Sequence, residues 1–123
     1  MIEGKADFDF EFQNRLGDIG ELEDKLYNEA ETRLMKLTKG QTDITGASVV
    51  LEYEDEGAET PHVHRARVVT YTRPEYINGT EIADTAIAAL KGALNAVERQ
   101  VREKRDRLRE TWKQPGNNED KAL

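Results

Sequence analysis

Residues 84–112 read DTAIAALKGALNAVERQVREKRDRLRETW, with a single glycine, Gly92, and no proline. Ile87, Leu90, Leu94, Val97 and Val101 are separated by alternating steps of three and four, which is the period of one face of an α-helix. Asp84 is the expected N-cap, because its short side-chain oxygen can accept from the unpaired first-turn amides. The run Gln114-Pro115-Gly116 ends the helix. At ~100° per residue, Leu90, Leu94, Val97 and Val101 share a narrow sector. Lys91, Asn95, Arg102, Arg109 and Lys113 share the flank beside it, with Arg99 further round. Arg105 stands in the apolar sector, where the next seam residue should fall. The helix is therefore expected to pack on a domain up to about Val101 and then project beyond it. Leu108 and Trp112 would cover another surface or meet a partner.

The rest of the chain supplies what this helix packs on. Residues 6–12, ADFDFEF, alternate Phe8, Phe10 and Phe12 with Asp7, Asp9 and Glu11. That is the period of a strand with one buried and one wet face. A second helix is expected from about residue 18 or 20 to 39. Its stripe is Leu22, Leu26, Ala30, Leu34 and Leu37, Asp18 and Glu21 resemble a capping box, and Gly40 stops it. Its exposed face, a mixture of Glu with Lys and Arg, reads as solvated surface. Residues 45–54 and 62–72 read as strands, the latter rich in β-branched side chains. Residues 75–82 can hold a short fourth strand, although Asn78-Gly79 also permits a tight turn.

The order is β-α-β-β-β-α. It predicts an α+β two-layer sandwich, a four-stranded sheet with both helices on one face. Residues 1–113 are expected to form one domain and residues 114–123 a disordered tail. The other sheet face should expose Asp7, Asp9, Glu11, Glu52, Glu54, Arg65 and Arg67.

Composition narrows the function. Among 123 residues there is no cysteine, which excludes a disulfide framework and thiolate metal ligation. No apolar run approaches the ~20 residues of a membrane span, and the first residues do not resemble a signal peptide. The expectation is a cytoplasmic protein without membrane association. The net charge of −7 is unevenly spread: residues 1–60 hold 16 acids and 6 bases, and residues 91–113 hold 8 bases and 4 acids. Phosphate binding needs cations, and a local basic face can supply them if the acids point elsewhere.

Enzyme chemistry has little support, for the sequence contains no phosphate loop, nucleophile elbow or metalloprotease helix motif. His62-x-His64 would point two imidazoles to one side of a strand, but no third ligand stands at an obvious position. These histidines read as surface residues, with no metal, no cofactor and no small-molecule substrate. The acid pairs Asp7/Asp9 and Glu52/Glu54 read as solubility and edge protection. The cationic helix flank has two open readings. It can neutralise phosphates of structured RNA, or it can be a solvated face held by pairs such as Glu98–Arg102 and Asp106–Arg109.

The stretch AALKGALNAVERQVREKR resembles the second helix of the ribosome hibernation-promoting factor and ribosome-associated inhibitor family. The apolar positions Ala89, Leu90, Ala93, Leu94, Val97 and Val101 match in register, and Glu98-Arg99-Gln100 matches the family's E-R-Q. Lys91 replaces a frequent Asp, and Ala96 a frequent Lys. The β-α-β-β-β-α order is also the family's. The resemblance implies a non-enzymatic protein that docks on the small ribosomal subunit and its ribosomal RNA, in the messenger and transfer RNA channel, and inhibits translation under stress. Carried over by position, it implies Arg99, Arg102 and Arg105 as RNA contacts. Charge and helix geometry add Lys91, Lys104, Arg109 and Lys113. The alternative is an interaction module on the same fold, binding a protein or forming a homodimer through the C-terminal helix with Leu108 and Trp112. A double-stranded-RNA-binding domain shares an α-β-β-β-α core, but no clear basic loop precedes the last helix.

Overall fold

The computed structural model describes residues 8–72 and 75–113, the last three by their backbone alone. Asp7, the expected tail 114–123 and the side chains of Trp112 and Lys113 lie outside what it describes. Six elements follow in order: β1 (Asp9–Asn14), α1 (Leu22–Thr38), β2 (Gly46–Tyr53), β3 (His64–Tyr71), β4 (Ile77–Ala83) and α2 (Ala86–Lys113). They form the expected α+β arrangement, with sheet order β1-β2-β3-β4.

β1 runs parallel to β2, and the remaining neighbours are antiparallel. A parallel pair needs a crossover, and α1 provides it. The register aligns Phe12 with Val49, Val49 with Val68, and Val68 with Gly79. Because side chains alternate along a strand, one row of each strand then shares a face. On that face Val49, Leu51 and Val68 are buried against Leu90, Leu94 and Val97 of α2 and Leu26 and Leu34 of α1. Phe10 and Phe12 meet Tyr27 of α1 edge-on, with ring centroids 5.2 and 5.3 Å apart. Leu22 is the exception in its stripe, 38% exposed, because it opens the helix at the rim of the layer.

Both helix starts differ from expectation. Glu21 caps α1 with no side-chain bond. Asp18 lies too early to cap, and its Oδ1 accepts from the Gly20 amide at 3.1 Å. At α2 it is Thr85, one residue after Asp84, whose Oγ1 accepts from the Ala88 amide at 3.2 Å. The C-terminal stop of α1 stands as read: Gly40 has φ +72°, a conformation that glycine adopts without steric cost.

Asn78-Gly79 is no turn but the middle of β4. A Cβ on Gly79 would lie 2.7 Å from the Ala93 carbonyl oxygen and 2.9 Å from the Ala96 methyl. The glycine lets α2 approach the strand. On the opposite sheet face Asp9 and Glu11 are exposed as expected, but Glu52 is 8% exposed. Its carboxylate receives Arg65 at 2.8 Å, Arg67 at 3.4 Å and Arg15 at 3.5 Å. The register opposes Glu52 to Arg65, and the arginine stems cover the carboxylate.

Candidate nucleic-acid interface

α1 and α2 lie on the same sheet face and are joined by two arginine clasps. Arg33 of α1 grips Glu98 of α2 through both carboxylate oxygens at 2.9 Å and also reaches Asn95. Side-chain exposures of 21% and 16% put this pair partly out of water. The Glu98 carboxylate holds the Arg33 pKa above its ordinary value. Arg105 of α2 grips Asp43 at 2.7 and 2.8 Å and donates to the Leu37 carbonyl at 2.7 Å. That bond satisfies a carbonyl at the end of α1, where the helix leaves its acceptors unpaired. Arg105 holds the Asp43 carboxyl below the usual carboxylate range.

Between the clasps is a groove of about 430 Å³, lined by Arg33, Lys36 and Lys39 from the end of α1 and by Glu98, Arg102 and Arg105 from α2. Five of these six charged groups are cations. Two of the arginines are spent on Glu98 and Asp43, so Lys36, Lys39 and Arg102, all exposed, carry the outward charge. The end of α1, where unpaired carbonyls carry partial negative charge, stabilises the lysines placed there.

The residues singled out from the sequence take different places. Arg102 lies in the groove, and Lys91 is exposed toward the start of α2. Arg99 is exposed, but at ~100° per residue it points away from the groove by about 60° from Arg102. Arg105 is a clasp, its side chain 17% exposed. Lys104 faces the other flank and reaches the Thr72 hydroxyl at 3.5 Å. Arg109 is exposed and pairs with Asp106 at 3.0 Å, as expected. Glu98 pairs across to Arg33 and not along the helix to Arg102. Among the described side chains Val101 is the last buried apolar residue of α2 and Leu108 is 53% exposed, while the contacts of Lys104 and Arg105 hold the helix to the domain for one further turn. Of the histidines, His62 pairs with Asp55 at 3.2 Å and His64 packs on Tyr53 with ring centroids 5.1 Å apart.

Sequence reasoning missed Arg33, Lys36 and Lys39. The signal was present: these bases recur at three-residue steps, after an acid-rich first half of the helix. Taken as a mixture, that helix face reads as solvated surface. Taken as two halves, it has a cationic end.

The model of the family described as Sigma 54 modulation protein / S30EA ribosomal protein matches residues 17–109. The chain belongs to that family. Both walls of the groove lie inside the match, as do Glu98, Arg99 and Gln100. Two solved structures share the fold. One is a ribosomal subunit interface protein from Coxiella burnetii, with TM-score 0.60, 11% identity, and coverage of 79% of this chain and 97% of that one. The other is the Protein Y N-terminal domain of Thermus thermophilus, with TM-score 0.58, 20% identity, and coverage of 76% and 93%. No curated protein matches the chain. Among the described residues no helix is long and apolar enough to cross a membrane.

Proposed function

We propose that this family member is a non-enzymatic, cytoplasmic ribosome-binding protein that docks on the RNA of the small subunit and inhibits translation under stress. The observation that carries the reading is the groove between α1 and α2, with Lys36, Lys39 and Arg102 turned to solvent inside the family match. The name of the Coxiella relative, a ribosomal subunit interface protein, supports it. The acidic residues Asp9 and Glu11 lie on the opposite sheet face, away from the proposed contact. Such a charge distribution orients an approaching polyanion.

Co-sedimentation with isolated small subunits, with large subunits as control, tests the reading. Binding through about four phosphate contacts is expected to weaken about a hundredfold between ~50 and ~200 mM salt. Reversing Lys36, Lys39 and Arg102 to Glu is expected to abolish it without unfolding the protein. Unchanged co-sedimentation of that variant would remove the groove from the contact. Lys91, Arg99 and Arg109 are proposed as flanking contacts, each weakening binding by a smaller factor when reversed.

The exposure of Leu108 on the projecting end of α2 favours a second reading, in which this end joins a protein partner or a second copy. A stable oligomer lost on Leu108→Ala or Trp112→Ala, in a protein that does not sediment with ribosomes, would favour it.

A further inference from the structure

The opposite flank of α2 carries a second groove, of about 400 Å³, unlike the first in chemistry. Its lining includes Glu75 and Tyr76 ahead of β4, and Glu103, Lys104, Arg107 and Leu108 of α2. Two acids and two bases balance, so this is no phosphate track. Tyr76 is 64% exposed although its neighbour Ile77 is buried. One side of its ring meets Tyr71, with centroids 5.0 Å apart and planes at 57°, which leaves the rest of the ring open to the groove. Thr72 and Glu75 are linked to α2: the Lys104 ammonium donates to Thr72 Oγ1 at 3.5 Å, and that hydroxyl donates to the Glu75 carbonyl. The aromatic wall is thus placed before anything binds.

An open ring, an aliphatic Leu108 wall, and donors and acceptors at the edge together match a flat, neutral heterocycle with polar edges. Neutral nucleobases stack on such rings, while the exposed carboxylates of Glu75 and Glu103 can accept from exocyclic amines. We propose that this groove receives one unstacked nucleobase of the bound RNA, with Tyr76 as its stacking platform. The inference rests on the ribosome-binding reading above and extends it to unpaired RNA. The two grooves are separated by the thickness of α2, about 10–12 Å with its side chains, a span that one RNA strand can bridge.

The test compares a labelled single-stranded oligoadenylate with a blunt RNA duplex of equal length, at low salt, on the whole chain. Tyr76→Ala is expected to weaken the single strand about tenfold and to leave the duplex unchanged. Tyr76→Trp, which keeps a platform, is expected to retain both. Lys36→Glu should weaken both RNAs together, because it acts on phosphates. Unchanged single-strand affinity in Tyr76→Ala would overturn the proposal while the cationic groove stood. So would an equal loss for the two RNAs, or an altered sedimentation mass of the free protein, which would mark a protein contact surface instead. Wild-type protein that is folded yet binds neither RNA would overturn the RNA reading, and this inference with it.

Discussion

Glu98, Arg99 and Gln100 are consecutive, yet each does something different. Glu98 turns inward to Arg33 of α1. Gln100 turns to the sheet edge, where its amide donates to the Asn78 carbonyl at 2.8 Å, blocking one acceptor that an outside strand could otherwise use. Arg99 faces solvent. A family motif here therefore marks mainly how the helix is seated. Arg33→Ala is expected to lower stability by about 2 kcal/mol in urea unfolding, since it leaves Glu98 partly buried without its partner. Asp43 is 38% exposed, so solvent screens the second clasp. Arg105→Ala should cost only about 1 kcal/mol. Arg102→Ala should leave the unfolding midpoint within error but lower ribosome affinity. If Arg105→Ala instead weakened ribosome binding more than Arg102→Ala did, at equal stability, the division between clasp and contact would be wrong.

At the scale of elements, α2 has three environments around it. One face packs on β3 and β4, one flank meets α1, and the other overhangs the Tyr76 groove. On the packed face, Gly79 lies against the helix backbone. Gly79→Ala is expected to destabilise by about 1–3 kcal/mol through overpacking, as the methyl must displace backbone and not a flexible side chain. An unchanged thermal midpoint would show that the helix can lift off the strand at little cost. The elements themselves were legible because their periods are local: two for Phe8–Phe12, three and four for Leu90–Val101. The caps were less so. Asp84 and Thr85 are both good capping residues, and the direction in which the chain leaves β4 selects between them. Asn78-Gly79 permits a hairpin in isolation, and only the helix above it explains why a glycine stands within a strand.

At the scale of the whole molecule, acid should loosen the fold. The Asp43 carboxyl is held low chiefly by its hydrogen bonds with Arg105, and that of Asp55 chiefly by the His62 amide. The unfolded chain binds these protons first as pH falls. Their stabilisation is therefore complete above the ordinary carboxylate value of about 4 and is lost as pH falls through the lower folded values. The urea midpoint is expected to hold between about pH 5 and pH 7 and to fall below pH 4. Asp43→Asn should make that fall shallower, and an identical acid profile in wild type and variant would exclude Asp43 from it.

By itself the sequence determined the element order, the buried face of each element and the segregation of acid from base. These depend on spacings of two to four residues, which backbone geometry converts directly into faces. It also contained the family motif, which is contiguous. Only the tertiary structure decided which cations are available. Arg33 meets Glu98 across 65 positions and Arg105 meets Asp43 across 62. Nothing local specifies those partners, for a charge is neutralised by whatever the packing of two helices on one sheet brings within ~4 Å. The same packing set Lys36 and Lys39 beside Arg102, and Tyr76 beneath the overhang of α2.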